Sequence, residues 1–315
     1  MGKKSIRTKP KLVYVGNFKE SFCTEVHVAN SFEELGWRVI RIQEDEANAA
    51  EVIRKMRDAQ FLLYTRTWDL PFMMDVFGEA KRLGIPTASF SLDLYIGIKR
   101  EEDMGKSLIW RADYVFTADG GHQEEFKRKG INHFWISPGV YGKECVRGTP
   151  RIEYAQDIVF VGSKTHYHKE WPFRKNLIEW LQYTYGPAFK LWGDRETIRG
   201  KDLNDLYASA KIVVGDSLYS PRYWSDRITE TLGRGGFLIA PIVEGIETQF
   251  KVGTHFVGYH YGDFEGLKAK IGYYLAHPKE REKIRRAGHE WVKAHHTYKE
   301  KCRQMLEIMN FHGNS

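Results

Sequence analysis

Apolar positions along this chain follow two alternating rhythms. Short, nearly continuous apolar runs such as KLVYVGNF (Lys11–Phe18) read as strands buried on both faces, and this one closes on Gly16. Between such runs, apolar residues recur every three to four positions. Thr24–Gly36 carries one such stripe and stops on a glycine, as an amphipathic helix does. The pair repeats through the strand AQFLLYTRT, the helix PFMMDVFGEAKRLG and the strand IPTASFSLD, then through ADYVFTAD, GHQEEFKRKG and NHFWISPGV.

A polar stretch, Tyr141–Gln156, interrupts the alternation, which then resumes. DIVFVGS, AFKLWGD, KIVVGDS and GFLIAP read as strands. PFRKNLIEWLQYTYG, DLNDLYASA, SDRITETLGRG and DFEGLKAKIGYYLAHP read as helices, and one long basic helix is predicted over Pro278–Asn310. Strictly alternating strands and helices predict an α/β fold with parallel sheets covered on both faces. With 315 residues the chain suits two Rossmann-like units. They are placed at 1–148 and 149–315, facing each other across a cleft at the carboxyl ends of their strands, with the last helix crossing back to the first unit.

Composition narrows the class. A hydrophobic share of 42% is enough for two cores, and 28% charged residues give a well-solvated surface. No apolar run approaches the ~20 residues of a membrane span, and the basic start MGKKSIRTKPK leads into no signal-peptide core. Three widely spaced cysteines form neither a disulfide framework nor a metal pattern, so a cytoplasmic setting is expected. The net charge of +7 suits a phosphate-bearing ligand or a nucleic acid, and equally a plain basic enzyme.

Three places carry candidate chemistry. After the first strand there is a single glycine, Gly16, and no G-x-G-x-x-G, which argues against a dinucleotide cofactor and leaves Gly16 as a candidate to face an acceptor or a donor phosphate across the cleft. The block SDRITETLGRGGFLIAPIVEG opens a helix with Ser225 and Asp226 as cap candidates, Arg227 in the first turn and Glu230 one turn on. A helix start has unpaired N–H groups that suit a diphosphate, Arg227 adds a bidentate donor, and Glu230 can accept ribose hydroxyls. An ordinary surface helix with an Arg–Glu pair is the other reading of the same residues. Asp93, at the end of the fourth strand, is a candidate for the acceptor hydroxyl or for a general base, or simply a turn former. HYH (His166–His168) and the pair His295 and His296 lack metal-ligand spacing, so no metal site is expected.

From Asp205 to about Leu306 the chain resembles the C-terminal half of GT-B-fold glycosyltransferases of the group-1 kind, and is most similar to their CgeB-like, spore-maturation branch. DLYASAKIVV, SDRITETLGRGGFLI, GIETQFKVGTHFVGY, LKAKIGYYLAHPKEREKIRRAG and HTYKEKCRQML carry the resemblance, with DIVFVGS and KLWGD upstream. It implies a nucleotide-sugar donor, with a UDP-sugar favoured and no further cofactor. By the same resemblance, Gly162, Ser163 and Lys164 approach the diphosphate, Glu230 holds the ribose, and Trp192, Asp194 and Arg199 lie beside the base. Lys164 and Arg227 then stabilise the departing diphosphate, with His166 and Lys169 nearby. One position departs from the pattern. The first Glu of the Glu-x7-Glu pair is Arg222 here, so the sugar contact falls to other residues of Leu218–Ser225.

The expected function is therefore a glycosyltransferase, retaining and metal-independent. Its acceptor is a hydroxylated or hydroxymethylated base in DNA, for whose extrusion Trp68, Trp110 and Trp224 are available. A cell-envelope sugar, a lipid or a protein is the alternative acceptor. A non-catalytic binding module on the same fold is the alternative to an enzyme.

Overall fold

The computed structural model describes residues 9–67, 69–164, 173–194 and 197–311. Trp68, His166, His168 and Lys169 therefore lie outside the described residues. In chain order the first half contains β1 (Lys11–Gly16), α1 (Thr24–Glu34), β2 (Arg38–Gln43), α2 (Ala49–Met56) and β3 (Phe61–Tyr64). It continues with α3 (Met73–Leu83), β4 (Thr87–Ser91), β5 (Tyr114–Thr117), α4 (Gln123–Arg128) and β6 (His133–Trp135). These strands pair in parallel in the order β2-β1-β3-β4-β5-β6.

The second half contains β7 (Gln156–Val161), α5 (Phe173–Tyr185), β8 (Phe189–Trp192), α6 (Gly200–Ser209) and β9 (Ala210–Val214). After them come α7 (Arg227–Gly233), β10 (Leu238–Pro241), β11 (Val257–Tyr259), α8 (Phe264–Ala276), α9 (Pro278–His295) and α10 (Tyr298–Ile308). Its sheet is also parallel, in the order β11-β10-β9-β7-β8. In each sheet the strand order reverses once, between β1 and β3 and between β7 and β9. Crevices for ligands open at the carboxyl ends of strands at such switch points.

The apolar runs explain the sheets. Val13, Leu62, Val159 and Val213 are fully buried, as strands covered on both faces must be. The carboxyl-end loops of the two sheets meet. A Cβ on Gly121 would lie 2.3 Å from the carbonyl oxygen of Pro221, and the Gly120 N–H donates to Arg222 O at 3.3 Å. Leu94 and Ala118 of the first half pack with Leu218 and Tyr223 of the second in a small shared apolar cluster.

The terminus departs from expectation. The single helix predicted over Pro278–Asn310 is two helices, broken at His296 and Thr297. Val140, in the segment leaving β6, donates to His296 O at 3.0 Å and accepts from Tyr298 N at 2.9 Å, which pulls the backbone out of helical geometry. Thr297 then caps α10 through its side chain. Tyr298, Cys302 and Met305 of α10 pack with Val28 and Phe32 of α1, so the chain's end sits on the first sheet's layer. β11 adds a short edge strand to the second sheet. No helix of the described residues is long and apolar enough to cross a membrane.

Candidate functional site

At the switch point of the second sheet, β7 runs into Gly162, Ser163 and Lys164. Gly162 has φ 145°, and a Cβ there would lie 2.6 Å from Nη2 of Arg227. Only glycine lets the loop pass this close to the guanidinium. Asp194, after β8, accepts from the Lys164 backbone N–H at 2.7 Å, and the Gly162 N–H donates to Trp192 O at 2.8 Å. Thus Asp194, expected beside the base, fixes the turn after β7. The Lys164 ammonium lies 3.4 Å from Glu179.

Beneath this turn Asp216, fully buried after β9, ties two arginines together. Its Oδ2 accepts from Arg174 Nε and its Oδ1 from Arg227 Nη1, each at 2.7 Å. Arg227 also donates from Nε to Val161 O at 3.0 Å and lies over the Phe160 ring at 4.9 Å. The set brings two guanidiniums to one carboxylate at the loop. Tyr259 and Tyr261 hydroxyls donate to Gly215 O and Ser217 O, both at 3.0 Å, and pin the segment around Asp216.

α7 begins at Arg227. Asp226 occupies the cap position in helical conformation and makes no cap bond. Ser225 does the capping instead: its Oγ accepts from the Arg227 N–H at 3.3 Å and donates to Asp226 at 3.0 Å. One turn on, Glu230 Oε2 accepts from Arg234 Nε at 2.7 Å, and no hydrogen bond to its Oε1 is formed among the described residues. Arg234 is buried and bonds further to Glu144, to Asn204 at 2.6 Å and to Gly200 O at 3.2 Å. Burial pushes the Glu230 carboxyl above its ordinary range despite the opposing pull of Arg234.

The expected base region is partly filled. The Trp192 ring carries the Lys190 ammonium 3.7 Å from its centroid and the edge of Tyr154 at 5.4 Å. A cavity of about 370 Å³ opens beside it, lined by Lys164, Lys190, Trp192 and Asp194. Arg199, expected beside the base, sits at the start of α6 with its guanidinium over Phe22 of the first half at 5.7 Å.

On the opposing wall, Gly16 ends β1, and a Cβ there would lie 2.8 Å from Glu25 Cγ. Burial pushes the Glu25 carboxyl up to about 7, and Glu44 adds a second negative charge. Glu44 is itself buried; its Oε2 accepts from the Thr67 N–H at 2.9 Å. Asp93 pairs with Arg100 at 2.8 Å and leaves 55% of its side chain exposed. Arg222, at the position of the missing Glu, adopts a left-handed φ of 50°, donates its N–H to Glu244 O at 2.7 Å, and lies 6.0 Å from the Trp135 ring.

Trp224 is fully buried against Trp135 and Phe250, and Trp110 is buried against Tyr95 and Phe126, so neither ring is presented to a ligand as a wedge. His296 is a core residue stacked on Phe250, with its imidazole pushed down to about 3 by burial. No group of three or more potential metal ligands occurs among the described residues.

Asp216, Arg174, Glu144 and Glu25 escape the sequence reading. The only signal for Asp216 was an Asp directly after a buried strand that ends in glycine.

Residues 172–307 match a family model described as glycosyl transferase-like. No curated protein matches the chain. Among solved structures, a glycosyltransferase from Rickettsia africae ESF-5 is similar at 13% identity, with 96% of this chain and 98% of that chain covered and a TM-score of 0.66. Anabaena HepE in complex with UDP and glucose is similar at 11% identity, covering 96% and 100%, with a TM-score of 0.67. An alpha-glucosyltransferase in complex with UDP-glucose and DNA containing an abasic site is similar at 9% identity, covering 96% and 99%, with a TM-score of 0.65. The two facing parallel sheets are the GT-B glycosyltransferase fold.

Proposed function

We propose that this chain is a glycosyltransferase that moves a sugar from a UDP-sugar to an acceptor hydroxyl. The observation that carries the reading is the meeting of the Gly162–Lys164 turn with the start of α7 at the switch point of the second sheet. The Arg174–Asp216–Arg227 set lies directly beneath and brings two guanidiniums to where a diphosphate can be held. Residues 149–315 are the donor domain in this reading and 1–148 the acceptor-side domain. The chain is assigned to the CgeB-like branch on the segments named above, and to the cytoplasm.

In the transfer, the bond from sugar C1 to the diphosphate oxygen breaks and its electron pair leaves with UDP. The acceptor oxygen bonds to C1, and for a retained anomer its proton passes to the departing phosphate oxygen. Negative charge grows on that oxygen, so Lys164, the turn's amides and the Arg227 side of the loop stabilise the transition state without a metal. Glu230 Oε1 receives the ribose hydroxyls, and the cavity beside Trp192 and Asp194 receives the base.

The test is thermal-shift binding with UDP, GDP and their sugars. UDP should stabilise the protein and Glu230→Ala should abolish the shift; no shift with any nucleotide would move the binding-module reading forward. Anomeric proton couplings of the product decide retention, and activity in EDTA decides metal independence.

A modified base in DNA is one acceptor reading, supported by the net charge of +7 and by the DNA-bound relative in fold. Such an acceptor makes binding fall steeply with salt. A glycan, lipid or protein acceptor is the second reading.

A further inference from the structure

Beside the cleft, at the carboxyl ends of β3 and β4, lies a pocket of about 200 Å³ that none of the donor-site residues shares. Arg66, Asp93, Arg100 and Asp103 line it, together with Ser107 and Trp110. Its charges balance, two guanidiniums against two carboxylates. Arg66 further pairs with Asp69 at 2.5 Å, and Arg100 with Asp93 at 2.8 Å.

Three lining atoms are buried without a hydrogen-bond partner among the described residues: Ser107 Oγ, Trp110 Nε1 and Arg100 Nη1, the last ion-paired with Asp93. Ser107 and Trp110 are only 4% and 7% exposed. Just behind the lining residue Thr67, Glu44 Oε1 is a buried acceptor that also has no partner among the described residues. Buried polar groups left unpaired cost roughly 1–3 kcal/mol each, so such a set is retained where something supplies the bonds.

The unmet set mixes donors with an acceptor, and the lining guanidiniums and carboxylates balance. Hydroxyl groups, which donate and accept at once, satisfy such a set; an oxyanion finds no excess positive charge here. The rings near the pocket spend their faces on one another. Tyr95 meets Trp110 edge-on at 4.7 Å, Trp110 stacks on Phe126 at 5.8 Å, and Arg100 covers Tyr95 at 5.8 Å. No slot between aromatic faces is left for a flipped base.

We infer that this pocket is the acceptor subsite and that it takes a single neutral sugar ring, so that the acceptor is a saccharide; the inference rests on the glycosyl-transfer reading. The wall borders the donor half directly, because Leu94, next to Asp93, packs against Leu218 and Tyr223 of the β9–α7 loop.

The test uses the full chain saturated with UDP and the methyl glycosides of glucose, galactose, mannose and N-acetylglucosamine. Inorganic phosphate and 5-hydroxymethyl-2′-deoxycytidine serve as the competing ligands. Saturation-transfer NMR should detect at least one glycoside. Its affinity should fall about tenfold in Ser107→Ala and in Trp110→Phe, as expected for one lost hydrogen bond, while the thermal shift from UDP stays unchanged. The unchanged UDP shift also reports that each variant is folded.

Binding of phosphate or the nucleoside without any glycoside overturns the inference. So does glycoside binding that both variants leave intact, and so does the absence of any glycoside signal while UDP still binds. Glycoside binding without a UDP shift would instead overturn the donor reading and leave the pocket standing.

Discussion

On the wall formed by the second sheet, Asp216 is fully buried between Arg174 and Arg227. On the facing wall its nearest counterpart, Asp93, leaves 55% of its side chain in solvent beside Arg100. Both are carboxylates at the carboxyl end of a parallel strand, paired to arginine at 2.7–2.8 Å. Distance alone does not distinguish them; burial does. An exposed pair contributes at most about 1 kcal/mol, whereas removing one partner of a buried set strands a charge. In the proposed reading, the buried set on the second sheet's wall suits a charged diphosphate, and the balanced pairs on the first sheet's wall suit a neutral acceptor.

The largest effect expected from that contrast is in Asp216→Asn. Both arginines lose their counter-charge inside the fold, and stability should fall by about 3–5 kcal/mol in urea unfolding. UDP binding should fail with it. A loss below about 1 kcal/mol would mean that water reaches the set and that the two walls do not differ.

Next comes a test of the opposite wall by pH. Glu25 has a folded pKa of about 7 against an ordinary value of 4.5. Between these values the folded protein holds a proton that the unfolded chain has released. The stability Glu25 contributes is therefore full below about pH 4.5 and is lost as pH rises through 7. Relative to Glu25→Gln, the wild type should lose up to about 3 kcal/mol between pH 4.5 and 7.5. Parallel pH profiles for the two proteins would refute a buried acid at this wall.

Smaller again is the binding effect at Glu230. Glu230→Gln removes one charge-assisted acceptor, so UDP affinity should fall about tenfold to a hundredfold by calorimetry. Arg234 keeps Glu144 and Asn204 as partners, so unfolding should change far less than in Asp216→Asn. Equal UDP affinity in the variant would remove Glu230 from the ribose contact.

How much of this was legible in the sequence differs between the walls for the same physical reason. Strand and helix rhythm gives both sheets, and the α7 start stands out because capping residues mark it locally, whereas the Gly162–Lys164 turn is reached only through the family resemblance. Asp216 does not stand out. An Asp after a buried strand reads as a turn former until Arg174, 42 residues upstream, is seen beside it. Glu25 looks like any acid in a first helical turn, and only Gly16 and Glu44, brought close by the β1–β2 pairing, explain its burial. The break at His296 was invisible because its cause, Val140, lies more than 150 residues away. Ser107 joins two 3-10 segments and Trp110 sits in the second, where burial cannot be read from spacing.

The smallest structural effect expected is also the most discriminating for chemistry. Asp93→Asn keeps the shape of the Arg100 pair and removes its charge. Because the pair is more than half exposed on the Asp side, stability should change by less than about 1 kcal/mol. If Asp93 touches the acceptor, kcat/KM for transfer should fall at least about tenfold while hydrolysis of the UDP-sugar by water stays at the wild-type rate, because only the first reaction uses the acceptor pocket. If both rates fall together, Asp93 acts on the donor across the cleft. If neither falls, the residue is only the partner that keeps Arg100 in place, and the acceptor wall orients its ligand without an ionised carboxylate at this strand end.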